Sequence, residues 1–261
     1  MEKVKRYELS RKNYISVLDE KKTSYGGSQQ WFAKELKRTK QSMTHTHGCG
    51  VIATSDLFLY WAMTLPYNKG YSVNVLLEKE GLLLKENYMT FIEYVRDTYV
   101  PILPIVGVPN IELIAAINSY TLFHHIPYKA RLGYLLDEKK LLMQIIEMIK
   151  NDLPVILLIG VPFPNMLYHT LLKDKKVGVT FYEKWQKDKE TYREVMHHIK
   201  GHYVTITGVI INKEAESKRE KVMLRNSSWG KEYYISYYEY CKYEIKYGVD
   251  IQGSIVRILP R

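Results

Sequence analysis

The chain has two cysteines, and the surroundings of one of them, Cys49, favour reactive thiol chemistry. Cys49 lies between two glycines, at the start of an apolar segment that is predicted to form a helix. Unpaired backbone N–H groups and the helix dipole stabilise negative charge at a helix N-terminus, so they favour a thiolate over the free thiol, whose pKa is about 8.5. Flanking glycines let a substrate backbone approach closely. The position predicts a nucleophile, while an isolated cysteine is also a common buried apolar residue.

A base and an orienting group for this nucleophile are available in the second half of the chain. A nucleophilic cysteine needs a base for its proton, and the base needs a third group that fixes its ring. His202 opens one predicted strand, and the next predicted strand leads into Asn226 and Trp229. His202 can take the thiol proton, Asn226 can accept the other ring N–H, and Trp229 can shield the pair from water. Taken singly, His202 is also typical of a strand end and Asn226 of a turn.

Five short motifs carry these residues, in the order Gly48-Cys49-Gly50, Leu153-Pro154-Val155-Ile156-Leu157, Gly201-His202-Tyr203-Val204, Asn226-Ser227-Ser228-Trp229-Gly230 and Ile235-Ser236-Tyr237. Together they resemble the papain-like cysteine peptidases of the bacteriocin-processing, C39-like type. The resemblance spans residues 48–65 and 153–259, and residues 66–152 carry no matching motif. It implies that Cys49 is the nucleophile, His202 the base and Asn226 the orienting group. It also implies cleavage of a peptide or isopeptide amide through a thioester acyl-enzyme.

The resemblance further implies a glutamine ahead of the cysteine that donates to the oxyanion. Six residues before Cys49, where the tighter family pattern has glutamine, this chain has Met43. Gln29 and Gln41 are the nearby candidates, and Gln29 is preferred because some relatives have a longer spacer. The chain also has Val51 where the family often has proline. Two alternatives therefore stay open: a catalytically inactive papain-like domain that binds a peptide or cell-wall fragment, and a thiol-dependent amidase or acyltransferase.

A metal site is the competing interpretation of the same segment. His45, His47 and Cys49 alternate, and in an extended segment they would point toward one ion, which would block the nucleophile. Because a fourth ligand is not evident, we expect no metal and no cofactor. Cys241 has no base beside it in the sequence and is expected to be structural.

The elements that must position these residues follow from apolar periodicity. Residues 49–65 are apolar on nearly all sides, as in a helix buried in the middle of a domain, and Pro66 ends it. A helix after Asp137, helical pieces within 77–123 and a central strand at 155–159 are predicted. Later strands are predicted at 203–211, 221–225, 233–235 and 254–259. Helices followed by antiparallel strands predict an α+β fold.

We expect one papain-like domain over residues 1–261. It would comprise an irregular N-terminal arm (1–48), a mainly helical part (49–152) and a sheet part (153–261) with a charged insertion at about 165–200.

Composition limits the classes of function. With 46% hydrophobic and 25% charged residues, the chain is expected to fold around a core, and two cysteines cannot form a disulfide framework. The net charge of +10 favours anionic partners, but acidic and basic residues are mixed, so nucleic-acid binding is not expected. Residues 1–40 show no apolar signal segment, and prolines and polar residues interrupt 153–172, so no membrane span is expected. A cytoplasmic protein acting on a peptide or protein substrate is the resulting expectation.

Overall fold

The computed structural model of the chain describes residues 3–20, 22–34, 39–65, 82–104, 107–133, 137–160, 177–186, 189–247 and 255–261. Its contacts divide the chain into two compact units. The sheet unit comprises Met1–Ser10, Gly133–Asn226 and Glu232–Arg257. The helical unit comprises Arg11–Leu132, Ser227–Lys231 and Ile258–Arg261. Neither unit is a continuous stretch of chain.

The helical unit is built around one buried helix. Its helices are α1 (Lys40–His47), α2 (Cys49–Thr64), α3 (Lys85–Thr98) and α4 (Asn110–Phe123). A small sheet of β2 (Val17–Asp19), β3 (Lys22–Thr23) and β4 (Leu83–Leu84) has the order β3-β2-β4. Strand β5 is Tyr128–Gly133, and the backbone N–H of Arg261 donates to the carbonyl of Pro127 at 3.1 Å.

Helix α2 is the core of this unit because its apolar residues occupy every side. All twelve residues from Gly50 to Trp61 are buried, and the ring of Phe58 stacks on that of Tyr120 with centroids 3.6 Å apart. Asp56 is the only charged residue in the helix. The predicted central helix is therefore confirmed.

The sheet unit is built around antiparallel strands. They are β1 (Val4–Glu8), β6 (Val155–Ile159), β7 (Val179–Lys184), β8 (Tyr192–Ile199), β9 (His202–Asn212), β10 (Val222–Ser228), β11 (Lys231–Ser236) and β12 (Ile255–Pro260). From β12 the order is β12-β6-β9-β10-β11-β7-β8. The long strand β9 pairs with β6 through its first half and with β1 through its second half: Ile159 is opposite His202, and Glu8 is opposite Gly208.

Two helices belong to the sheet unit, α5 (Glu138–Lys150) and α6 (Tyr237–Tyr247). The side chain of Asp137 caps α5 by accepting from the Lys139 backbone N–H at 2.8 Å, as the sequence predicts. Helix α5 packs on β9 and β1. Helices and an antiparallel sheet together confirm the α+β class.

Three expectations about elements are wrong. The N-terminal arm contains β1, which joins the sheet, and residues 40–47, which lead to the cysteine, are helical. A reciprocal capping box between Thr39 and Ser42 starts that helix, whose low apolar content hides it in the sequence. The described part of the charged insertion forms strands β7 and β8, and exposed charges on β8 obscure their alternation. Residues 161–176 of that insertion lie outside the described residues. No described helix has the length and apolar character needed to cross a membrane.

The burial of α2 predicts how two leucines in the helical unit differ. Leu59 on α2 is 0% exposed, and Leu122 on α4 is 63% exposed. Leu59→Ala leaves a cavity and should lower the free energy of unfolding in urea by about 2–5 kcal/mol. Leu122→Ala, the matched control, should change it by less than about 0.5 kcal/mol. Equal losses would mean that α2 is not the core of this unit.

Candidate active site

Cys49 is the first residue of α2, and a glycine immediately before it shapes that start. The Gly48 backbone N–H donates to the Thr44 carbonyl at 3.0 Å, and the Gly48 carbonyl accepts from the Ile52 N–H at 2.9 Å. A Cβ on Gly48 would collide with the Thr44 carbonyl, so a larger residue does not fit. No side chain caps α2, and Cys49 is partly exposed although the residues after it are buried. The thiol thus has the helix-terminal position that the sequence predicts.

The helix α1 overturns the geometry on which the metal alternative depends. Residues two apart on a helix point about 200° apart, so His45 and His47 do not face one ion as they would in an extended segment. His45 Nδ1 instead lies 2.8 Å from the Phe32 carbonyl oxygen and donates to it, because a carbonyl only accepts. Among the described residues, no group of three or more His, Cys, Asp or Glu side chains is placed to hold a metal.

Gln29 is hydrogen-bonded to the helix that immediately precedes Cys49. It begins a short 3-10 helix (Gln29–Trp31), and its Nε2 donates to the carbonyl of His45, four residues before Cys49, at 2.9 Å. The amide nitrogen has a second hydrogen available for another acceptor. Gln41, the other candidate, hydrogen-bonds Glu93 on α3. Of the two glutamines, Gln29 is the one anchored to the segment that leads into Cys49.

A buried carboxylate on α2 holds the turn that precedes Gln29. Asp56 accepts a hydrogen bond from the Tyr88 hydroxyl at 2.6 Å and from the Gly27 backbone N–H at 3.2 Å. Asp56 and Tyr88 are both fully buried. A Cβ on Gly27 would collide with the Tyr88 hydroxyl, so this close packing requires glycine. Burial raises the pKa of Asp56 to about 7, against the lowering effect of the bonds from Tyr88 and Gly27.

Sequence reasoning missed Asp56, although the sequence contains a sign of it. A single carboxylate in a helix that is otherwise apolar on every side must find buried donors, because an unpaired buried charge is costly. Asp56 is seven residues after Cys49, which is two helical turns, so both residues lie on one side of α2.

Trp229 lies at the tip of the β10–β11 hairpin. Trp229 has φ 48° and Gly230 has φ 75°, the paired positive values of a two-residue type I′ turn. The Gly230 N–H donates to the Gly27 carbonyl at 2.8 Å, and the Gly230 carbonyl accepts from the Tyr25 N–H at 2.9 Å. Trp229 itself is half-buried. The hairpin tip is therefore fixed against the same turn that Asp56 holds.

His202 is the first residue of β9 and is buried. Burial lowers the pKa of His202 to about 3, because desolvation disfavours the imidazolium. The ring is therefore neutral at pH 7 and able to accept a proton. A general base works best with a pKa near the working pH, so burial makes this imidazole a weak base. Its place at the start of a strand agrees with the sequence prediction.

Asn226 is fully buried in β10, the strand next to β9, rather than in a turn. Neither its Oδ1 nor its Nδ2 has a hydrogen-bond partner among the described residues, so no hydrogen bond joins it to His202. The preceding residue, Arg225, makes two hydrogen bonds with Thr207 in the middle of β9. Thr207 Oγ1 donates to the Arg225 carbonyl, and Arg225 Nη2 donates to the Thr207 carbonyl, both at 3.4 Å. Asn226 thus lies beside the middle of β9, whereas His202 is at its start. Its predicted role requires a bond that this structure does not contain.

A second buried carboxylate, also missed in the sequence, lies near the start of β9. Glu244 on α6 accepts from the Gly160 N–H at 3.0 Å, and the Tyr243 hydroxyl donates to the Gly160 carbonyl at 2.6 Å. Gly160 follows Ile159, which is opposite His202. Burial raises the pKa of Glu244 to about 7, against the lowering effect of the Gly160 bond. Glu244 lies in a tyrosine-rich segment whose pattern did not mark it as buried.

The two units divide the predicted residues between them. Cys49, Gln29 and Trp229 belong to the helical unit, and His202 and Asn226 belong to the sheet unit. Cys241 on α6 is buried, and burial raises its pKa to about 12, which fits an unreactive structural thiol.

The chain matches no protein-family model, curated protein or solved structure.

Titration of Asp56 predicts a pH-dependent stability. Burial raises its pKa from 3.8 to about 7, so between these values the folded protein binds a proton that the unfolded chain has released. The contribution of Asp56 to the free energy of unfolding is therefore largest below pH 4. It falls by roughly 4 kcal/mol in total as the pH rises through 7. Asp56→Asn cannot titrate and should flatten the dependence of the unfolding free energy on pH.

Urea unfolding at several values between pH 4 and 8 measures this dependence. Asp19→Asn, which replaces a carboxylate of the same unit that is not buried, should keep the wild-type slope. Identical slopes for wild type and Asp56→Asn would show that Asp56 is ionised throughout that range.

Proposed function

We propose that the protein is a papain-like thiol hydrolase that cleaves a peptide or isopeptide amide, with Cys49 as nucleophile and His202 as base. The observation that carries the proposal is the position of Cys49. It is a partly exposed thiol at the first residue of a helix that has no side-chain cap and whose next twelve residues are all buried. Amides of a first helical turn stabilise both a thiolate and the oxyanion that follows its attack. The order Cys49, His202, Asn226 and the α+β class support the same assignment.

Each residue would have a defined part in the reaction. His202, neutral at pH 7, accepts the thiol proton as sulfur attacks the amide carbonyl, and later returns it to the leaving amine. The backbone N–H of Cys49 and the free amide hydrogen of Gln29 would donate to the oxyanion. Water then hydrolyses the thioester and releases the acid. Trp229 would form part of the cleft wall.

A catalytically inactive papain-like domain is the second candidate, and one observation favours it. Asn226 makes no hydrogen bond to His202, so it does not supply the orienting contact that it would have in a triad. Such a domain would bind a peptide or cell-wall fragment without cleaving it. An amidase or acyltransferase would use the same nucleophile and base with a different substrate or acceptor.

The alkylation rates of the two thiols distinguish an enzyme from a catalytically inactive domain. Cys49 should react with iodoacetamide rapidly near pH 7, with a midpoint below the free-thiol value of about 8.5, and Cys241 should react slowly. His202→Ala should slow the Cys49 reaction by about tenfold or more. His197→Ala, the control, removes an exposed imidazole from β8 and should leave the rate unchanged. Mass spectrometry of tryptic peptides assigns each thiol, and equally slow labelling of both would exclude the enzyme.

The two glutamines give a test of the oxyanion donor. Loss of one such donor costs about 10²–10³-fold in turnover, so Gln29→Ala should lower kcat by that factor with little change in KM. Gln41→Ala is the matched control, because its side chain binds Glu93 instead. A mixture of short peptides, with products and a Cys49 thioester followed by mass spectrometry, supplies the assay. An equal effect of both substitutions would remove Gln29 from the site.

A further inference from the structure

A groove of about 270 Å³ lies in the sheet unit, outside all the residues assigned to the thiol chemistry. One stripe of α6 forms most of its lining, since Tyr238, Glu239, Lys242, Lys246 and Tyr247 recur at three- and four-residue spacing. The start of β7 and the side chain of Arg219 complete it. The groove therefore has a definite chemical character, set largely by a single helix face.

Most of the charge on one side of the groove is already compensated. Arg219 Nε lies 2.9 Å from Glu239 Oε1, and Glu239 Oε2 accepts from the Tyr182 hydroxyl at 2.8 Å. Arg219 also contacts Glu194 at 3.4 Å. The carboxylate of Glu239 is thus occupied by groups that hold it in place.

The two lysines of the stripe are not compensated. Among the described residues neither Lys242 nor Lys246 has an ion-pair partner, and the ammonium of Lys246 lies 4.9 Å from the ring centroid of Tyr247. Like charges four residues apart on a helix repel each other. An anion bound between these two side chains would relieve that repulsion, so the groove favours a ligand with at least two negative charges.

The tyrosines indicate what else the ligand carries. Tyr238, which is 43% exposed, and Tyr247, which is partly exposed, both line the groove, and the Lys246 ammonium lies over one face of the Tyr247 ring. Tyrosine packs against backbone and aliphatic groups while its hydroxyl bonds to peptide amides. A nucleic acid would need a longer row of unpaired cations to follow its phosphates, and the groove has two.

We propose that this groove binds an acidic peptide segment, with the carboxylates of two aspartates or glutamates between Lys242 and Lys246 and its backbone against Tyr238 and Tyr247. The site does not depend on the proposed thiol chemistry. It would recruit an acidic stretch of a protein whether or not that protein is cleaved.

Fluorescence anisotropy at low ionic strength tests this with a fluorescein-labelled peptide of alternating Asp and Glu. The full-length protein should bind it, and should bind the matching Asn and Gln peptide at least about tenfold more weakly. The double variant Lys242→Glu/Lys246→Glu should lose about tenfold or more in affinity, because attraction becomes repulsion. The control Lys139→Glu/Lys140→Glu reverses two exposed lysines of α5 and changes the net charge equally. It should retain affinity within about twofold.

Three outcomes would overturn the groove as a peptide site. The first is no binding of the acidic peptide by the wild type. The second is an equal loss in both double variants, which would show attraction to the net charge of +10 alone. The third is tighter binding of a labelled single-stranded oligonucleotide than of the peptide. Circular dichroism of both variants establishes that they fold, and alkylation of Cys49 reports separately on the proposed enzyme.

Discussion

The arrangement of the helical unit depends on the hydrogen bonds made by one buried carboxylate. Asp56 interrupts a helix that is otherwise apolar, and its two oxygens connect α2 to the Tyr88 hydroxyl on α3 and to the Gly27 backbone N–H. A buried charge or carboxyl group is costly unless donors surround it, so these partners must stay in place for the helix to stay buried. The requirement sets the distance between the cysteine helix and the turn that carries Gln29. The hairpin tip with Trp229 is then fixed against the same turn.

The sheet unit also contains a buried carboxyl group that accepts a hydrogen bond from a glycine backbone N–H. Glu244 on α6 accepts from the Gly160 N–H, and Gly160 directly follows the residue opposite His202. In both units a buried acid binds a glycine amide within a few residues of a predicted functional side chain. Only the first of these positions requires glycine: a Cβ on Gly27 would collide with the Tyr88 hydroxyl, whereas one on Gly160 would make an ordinary contact with Glu244. Both acids have raised pKa values, so the stabilisation that each contributes to its unit would decrease over the same range as the pH rises toward neutrality.

The sequence predicts well the elements that a local apolar pattern marks, and predicts poorly both the mostly polar elements and the contacts between residues that are distant in the chain. Strand β6 and the Asp137 cap were predicted because apolar runs and capping residues act within a few positions. Helix α1 was missed because its start depends on a Thr39–Ser42 capping box rather than on an apolar face. Strand β8 was missed because its exposed charged residues obscure the alternation, although its partner β7 is the preceding strand in the chain.

The same distinction applies to the candidate site. The helix-terminal position of Cys49 and the strand-start position of His202 follow from neighbouring residues, and the structure contains both. No local pattern shows that Asn226 lies beside the middle of β9 and makes no hydrogen bond to His202. Asp56 and Glu244 were visible as residues, but their glycine partners are 29 and 84 positions away.

The division of the chain between the units has a consequence for synthesis on the ribosome. The helical unit includes Ser227–Lys231 and Ile258–Arg261, and the sheet unit includes Met1–Ser10. Because translation proceeds from the N-terminus, α2 emerges long before the hairpin tip whose Gly230 bonds to Gly27 and Tyr25. Strand β1 likewise waits for β9, some two hundred codons later. Neither unit can complete its fold until the later segments have been synthesised. Apolar surface therefore stays exposed in the nascent chain, where chaperones would bind it.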